Sequence, residues 1–345
     1  MESNQYDIVI IGGGILGLST AMQLLERVPN WRVAVIEKEG QLATHQTGHN
    51  SGVMHSGIYY RPGSHKAQFC VAGLNNMVKF CDENEIEYQQ CGKVIVALKE
   101  SELGRLQDLF ERGTANGVPD LEIIGPERLK EIEPHAVGMR ALWAPHTGIV
   151  DFTKVAVAFA NKFQQAGGDI FTGAAVKKIT NMTGSVALET TKGTFQAKHL
   201  INCAGLYADK VAAMTGEKLG VKIIPFRGEY YTLRPESHHL VSGLIYPVPD
   251  PQFPFLGVHF TRNIKGHVEA GPNAVMALRR EGYRKRDFSL GESMANLAYP
   301  GFWKMAAKYW KIGMGEVYRS FNKRVFLHDL QRLIPEIRNS DLASG

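Results

Sequence analysis

Tyr6-Asp7-Ile8-Val9-Ile10-Ile11-Gly12-Gly13-Gly14-Ile15-Leu16-Gly17 is the stretch that decides the fold of this chain. Its first six residues are an apolar, mostly β-branched run that stops at three glycines, and residues 18–27 then read as a helix that Pro29-Asn30 terminates. Residues 31–36 form a second apolar strand closed by Glu37, twenty residues after Gly17. Strand, tight turn, helix, strand and acid in that order make a dinucleotide-binding βαβ unit. Gly12 permits the turn, Gly14 lets the backbone approach a pyrophosphate at the helix N-terminus, and Gly17 allows close helix–strand packing. Glu37 would accept hydrogen bonds from a ribose hydroxyl, and by repelling a 2′-phosphate it disfavours NADP. The unit does not by itself choose between FAD and NAD.

The 345 residues, 44% of them hydrophobic, suffice for two domains with a sizeable core. With 21% charged residues and a net charge of +5, the chain is neither disordered nor a dedicated nucleic-acid binder. The charge is uneven: residues 261–345 carry fifteen Lys/Arg against eight Asp/Glu. That basic tail suits an anionic substrate or an acidic membrane surface, or is simply a solvated helical face. The four cysteines lack C-x-x-C spacing and no secretory leader precedes them, which argues against metal sites and disulfides and for a cytoplasmic protein. Residues 8–25 are uncharged but hold Gly12, Gly13, Gly14, Gly17, Ser19, Thr20 and Gln23, so they read as neither signal peptide nor membrane span.

Residues 41–60 form a polar loop with three histidines and three glycines, and a connection that long inside a compact domain is usually functional. Far downstream, Ala175-Val176 lies in a short strand pattern, and residues 199–203 are a buried strand ending in Ala204-Gly205. A strand returning to the first sheet and ending in small residues suits an extended flavin; the plainer alternative is a core strand with a glycine turn. Residues 67–85 and 101–116 read as helices, the second broken at Gly117-Val118-Pro119-Asp120. Residues 225–274 read as short strands, rich in Tyr, Phe and Val, of an antiparallel sheet.

Taken together, the amino-terminal glycine turn, the 45–60 loop, Pro145-His146-Thr147-Gly148-Ile149-Val150-Asp151, Cys203-Ala204-Gly205-Leu206, Pro225-Phe226-Arg227-Gly228-Glu229-Tyr230, Ile245-Tyr246-Pro247-Val248-Pro249-Asp250, residues 253–260, Gly271-Pro272-Asn273-Ala274 and Arg280-Glu281-Gly282-Tyr283 resemble the L-2-hydroxyglutarate dehydrogenases (oxidases). These are FAD enzymes of the D-amino-acid-oxidase-like superfamily. The resemblance implies a mixed α/β fold: a Rossmann-like FAD-binding domain from residues 1–60 and about 150–215, and a substrate domain on an antiparallel sheet from about 61–149 and 216–345. It implies that the family's C-terminal FAD-closing segment is absent from this chain. It also implies oxidation of a small dicarboxylate, L-2-hydroxyglutarate, to 2-oxoglutarate, with electrons passed to a quinone or to oxygen. A related flavoprotein acting on an amino acid or glycerol 3-phosphate is one alternative, and a cofactor-free inactive fragment is another. The cofactor-binding positions are then Gly12, Gly14, Gly17 and Glu37, with Thr47 and Ser51 from the polar loop and Val176, Ala204 and Gly205 from the later strands.

Oxidising a 2-hydroxy acid requires a base for the hydroxyl proton and a clamp for the carboxylates, the flavin supplying the rest. Histidine suits the base, and the candidates are His45, His49, His55 and His259. His55, flanked by Gly52 and Gly57, is the first choice and His259 the second; as base, His55 predicts a rise of flavin reduction with pH near the imidazole value of roughly 6 to 7. Arg227 stands in an apolar strand, where it either pairs with Glu229 or receives a substrate carboxylate. The clamp reading is preferred, with Tyr246, Arg262 and Lys66 as weaker candidates for the second carboxylate. Around Phe302-Trp303-Lys304 and Lys308-Tyr309-Trp310-Lys311, the two tryptophans lie seven apart on one helical face. That suits a helix on an anionic membrane surface, a peripheral position on the inner membrane, as well as it suits domain packing.

Overall fold

The computed structural model describes residues 4–250 and 256–344, so Phe253, Pro254 and Phe255 of the 253–260 motif lie outside the described residues. The chain divides into two units, each woven from three segments: residues 1–50, 152–225 and 277–302 in one, and 51–151, 226–276 and 303–345 in the other.

The first unit is built on a six-stranded sheet in the order Val176–Met182, Ser185–Thr190, Gly193–Asn202, Gln5–Ile11, Val33–Ile36, Asp169–Phe171. The last four strands run parallel, with Gln5–Ile11 at the centre paired to Gly193–Asn202 on one side and Val33–Ile36 on the other. A central parallel strand is buried on both faces, which is why Ile8–Ile11 is an unbroken apolar run. Val9 and Ile11 point to a core with Phe195, Leu188 and Ala34. The opposite face is covered by the helix Ile15–Arg27, which packs its buried Leu18, Ala21, Met22 and Leu25 beside the helix Phe152–Gln165.

The second unit is built on an eight-stranded sheet in the order Leu342–Ser344, Phe226–Leu233, Val268–Met276, His259–Arg262, Leu244–Pro247, Lys93–Ala97, Arg140–Ala144, Glu122–Ile124. Every neighbouring pair is antiparallel except Leu244–Pro247 with Lys93–Ala97, which departs from the all-antiparallel expectation. Strand periodicity sorts its side chains. Val94, Val96, Ile245, Phe260 and Ala270 face a core closed by Phe326, Leu330 and Ile334, whereas Ile95, Ala97, Leu244, Tyr246 and Leu142 face a second core with Ile58, Leu106 and Leu109. The helices His65–Glu83 and Glu100–Ala115 fall where the sequence pattern puts them.

Three segments fall differently from the sequence-based division, and one of them, residues 216–225, belongs to the first unit. Residues 51–60 belong to the second unit, where Val53–Met54 pairs with Gly148–Val150. Residues 277–302 belong to the first, where the buried Arg280 forks onto Asp209 and Glu281 joins Lys38.

Candidate active site

In the first unit the three fingerprint glycines do three different jobs. Gly12 has φ +114, and a Cβ there would sit 2.3 Å from the Cys203 carbonyl oxygen. A Cβ on Gly17 would sit 1.9 Å from the Gly12 carbonyl oxygen, so helix and turn touch backbone to backbone. A Cβ on Gly14, which caps the helix Ile15–Arg27, would meet nothing but the Thr47 hydroxyl at 3.3 Å. The space in front of that N-terminus is therefore kept open by the absence of a side chain, as an anion cradle requires.

Thr47 accepts a hydrogen bond from Ile15 N at 3.0 Å, which places its hydroxyl at the head of the same helix. Glu37 is buried, and its carboxylate accepts from Gly13 N at 2.7 Å and Glu39 N at 2.8 Å, so the acid is oriented against the glycine turn. Ala174 N donates to Glu37 O, bringing the chain before Val176 beside the acid, and Cys203 N donates to Ile11 O, bringing Ala204 and Gly205 (φ +52) beside Gly12. Gly12, Gly14, Gly17, Glu37, Thr47, Val176, Ala204 and Gly205 thus all belong to the first unit, around the carboxyl ends of its parallel strands, where such sheets bind ligands. Ser51 belongs to the second unit. These residues fit the adenine dinucleotide half of FAD: an open helix N-terminus for phosphate and a buried, aimed carboxylate for ribose.

The loop histidines separate. His45 stands 3.0 Å from Glu39 and 2.9 Å from Lys38 in an ionic cluster with Glu281, and His49 stacks on Tyr283 at 4.0 Å between ring centroids. Both belong to the first unit and are already engaged there.

His55 and His259, by contrast, come together in the second unit, in company that the sequence reading did not foresee. His259 is buried at the start of its strand, stacks on Tyr246 at 3.9 Å, and hydrogen-bonds the Gly257 carbonyl through Nδ1 at 2.9 Å. Beside them lies Lys93, 1% exposed, whose ammonium stands 4.6 Å from the centre of the Tyr59 ring and 5.2 Å from that of Tyr246. Tyr246 hydrogen-bonds Thr261 at 3.4 Å. Cys70, from the helix His65–Glu83, donates to the His55 carbonyl.

Burial, with the like charges of Lys93 and His259, pushes His55 down to about 3, and burial pushes His259 down to about 4 despite its bond to Gly257, with Lys93 adding to the depression. Burial pushes Lys93 down to about 7 against a small opposing effect of Cys70, and burial pushes Tyr246 up to about 12 despite its hydrogen bond to Thr261, with Cys91 adding to the rise. Both imidazoles are therefore neutral across the working range and able to take a proton, but neither titrates near 6 to 7, so the predicted pH limb moves to acid. Among the described residues no carboxylate is in ion-pair contact with His55, Lys93 or His259.

Arg227 follows the internal alternative. Its guanidinium donates to Glu229 at 2.7 Å, and Ser320 donates to the other Glu229 oxygen. Lys66 is exposed on its helix, and Arg262 is half-buried at the end of its strand. Of the clamp candidates, Tyr246 stands with the histidines, stacked on His259. Lys93 was missed because a single charge before Val94-Ile95-Val96-Ala97 resembles the polar end of a strand; its signal was that the run is too apolar for an edge.

The model of the family described as FAD dependent oxidoreductase matches residues 7–322. The chain is 52% identical to an L-2-hydroxyglutarate dehydrogenase of Indibacter alkaliphilus, over 99% of this chain and 86% of that one. It is 45% identical to the human mitochondrial L-2-hydroxyglutarate dehydrogenase, over 100% of this chain and 77% of that one. Among solved structures it superposes on a dithionite-reduced L-α-glycerophosphate oxidase of Mycoplasma pneumoniae with FAD bound, with a TM-score of 0.79 at 22% identity over 99% of this chain and 82% of that one. A glycine oxidase of Geobacillus kaustophilus gives a TM-score of 0.72 at 20% identity over 99% and 80%. At those identities the two structures establish the fold alone.

Proposed function

The chain belongs to the FAD-dependent oxidoreductases and, among them, to the L-2-hydroxyglutarate dehydrogenases, and from that premise we propose that it oxidises L-2-hydroxyglutarate to 2-oxoglutarate with FAD as its cofactor. The observation that carries this reading to particular residues is the cluster in the second unit in which two imidazoles, a buried lysine and two tyrosine rings gather. Bound FAD supplies a two-electron acceptor for the hydrogen on C2. The protein's part is the proton and the orientation. His55 accepts the hydroxyl proton as C2 gives up its hydrogen with the electron pair, and the new carbonyl forms from the O–H and C–H bonds that break. His259, fixed by Gly257 and by the Tyr246 ring, holds the other side of the pocket and is the alternative acceptor. In the first unit, Gly14 and Thr47 at the helix head and Glu37 beneath the turn hold the cofactor's pyrophosphate and ribose.

The decisive experiment is anaerobic mixing of the flavin-loaded protein with L-2-hydroxyglutarate. Rapid bleaching of the flavin by the L-enantiomer, and not by the D-enantiomer, glycerol 3-phosphate or L-amino acids, is expected; bleaching by one of the others in preference would move the substrate assignment.

The electrons then leave to a quinone or to oxygen. Among the described residues no helix is long and apolar enough to cross a membrane. The helix Pro300–Phe321 supports a peripheral approach to a lipid-dissolved quinone: Trp303, Trp310, Met314 and Phe321 form an exposed stripe with Lys304, Lys308 and Lys311 beside it. On this reading the protein sediments with anionic phosphatidylglycerol vesicles at low salt and is released as ionic strength rises. No binding at any salt would leave the helix a packing role.

A further inference from the structure

We propose that Lys93 is the residue that receives a carboxylate of the substrate, with the hydroxyl of Tyr59 and Nδ1 of His55 completing the anion site. The inference rests on the dicarboxylate reading above and deepens it. Three observations carry it, all within the second unit.

The first is position. Lys93 opens the strand Lys93–Ala97, which lies inside the sheet between Leu244–Pro247 and Arg140–Ala144, and all five of its residues are buried. Two-residue alternation puts Lys93 on the face of Ile95 and Ala97, and its cross-strand partner Leu244 is on the face of Tyr246. Its stem therefore rises toward Tyr59, Tyr246 and His259, not toward solvent.

The second is what it lacks. A buried ammonium loses its hydration, a cost that an anion offsets best. Among the described residues no carboxylate lies within ion-pair distance of Lys93, and the Tyr59 and Tyr246 ring faces offset only part of that cost.

The third is that its neighbours are also incomplete. Tyr59 Oη and His55 Nδ1 are both buried with no hydrogen-bond partner. An unpartnered hydroxyl on the ring over which the Lys93 ammonium stands, and an unpartnered nitrogen on an imidazole that feels its charge, leave donors near that ammonium for a carboxylate, which accepts at several lone pairs at once.

The groups facing Lys93 are His55 and Tyr59 from the chain after Met54, Cys70 from the helix His65–Glu83, Tyr246 from one strand and His259 from the next. None of them is an acid at neutral pH. With Lys93 resting near neutrality in this setting, an arriving anion stabilises the ammonium, so binding draws in a proton as pH rises past about 7.

The test uses the flavin-loaded protein and glutarate, a dicarboxylate with no hydroxyl to oxidise, followed by isothermal titration calorimetry in parallel with turnover of L-2-hydroxyglutarate. Lys93→Met should weaken glutarate binding and raise KM by about ten- to hundredfold, with a much smaller effect on kcat and no loss of thermal stability, because an uncharged stem packs better in the apolar strand. In the wild type, glutarate binding should weaken above about pH 7, and Lys93→Arg, which stays charged, should bind without that limb. Unchanged glutarate affinity in Lys93→Met overturns the proposal, as does a loss of kcat at unchanged affinity, which would make the amine the proton acceptor. If the wild type ignores both dicarboxylates but binds acetate or phosphate through Lys93, the anion site stands and the substrate reading falls.

Discussion

Gly17→Ala and Gly14→Ala differ by one methyl group each, on glycines of one motif, and the structure assigns them opposite failures. At Gly17 the new methyl would lie 1.9 Å from the Gly12 carbonyl oxygen, a backbone atom that no rotamer change can move. Restoring a contact of about 3.5 Å requires the helix Ile15–Arg27 to back away from its strand by about 1.5 Å. Overpacking of that kind costs about 1–3 kcal/mol, at the upper end where both partners are backbone, and should lower Tm by about 5 °C. At Gly14 the methyl meets only the Thr47 hydroxyl at 3.3 Å, so apo stability should hold within about 0.5 kcal/mol. The same methyl nevertheless occupies the space in front of the helix N-terminus, and FAD affinity should fall by about tenfold or more. Thermal unfolding of the apo proteins, with FAD titrations followed by flavin fluorescence, separates the two effects. A Gly17→Ala variant with wild-type Tm and flavin content would refute the close-packing argument. A Gly14→Ala variant that is destabilised yet binds FAD normally would refute the cradle.

His55→Ala should slow anaerobic flavin reduction by about two to four decades, with the affinity for glutarate falling by no more than about tenfold as its Nδ1 contact to the carboxylate is lost, and His259→Ala should slow reduction less. Because His55 is pushed down to about 3 and His259 to about 4, the wild-type reduction rate at saturating substrate should stay level between about pH 5 and 7; a rising limb near 6 to 7 would refute the depressed His55 pKa. Arg227→Met leaves the mostly buried Glu229 without its guanidinium and should cost about 3 kcal/mol of stability with KM nearly unchanged. A tenfold rise in KM at unchanged Tm would return Arg227 to the carboxylate clamp.

What was legible in the sequence was what local geometry enforces. The glycine turn could be read because each glycine answers a contact within a few residues or across one strand, and the apolar runs around it have one sensible arrangement. His55 and His259 were reached from chemistry, since few histidines lie among glycines or aromatics. Arg227 carried its own answer: residues two apart on a strand share a face, so Glu229 was its natural partner. Lys93 was hidden because its burial depends on Leu244–Pro247, some 150 residues downstream, and no periodicity in 93–97 announces a neighbour that distant. The same holds for residues 277–302, whose place in the first unit is set by single long-range ion pairs such as Arg280 with Asp209.

The pairing of Gln5–Ile11 with Gly193–Asn202 has a consequence for biogenesis. The strand Gly193–Asn202, and Cys203 that closes against Gly12 just beyond it, emerge nearly 190 residues after the glycine turn. At about 5–20 residues per second the ribosome leaves Ile8–Ile11, wholly apolar, with one sheet edge unsatisfied for about 10–40 s. The nascent strand Gln5–Ile11 therefore waits with an apolar edge open to mispairing until its partner emerges.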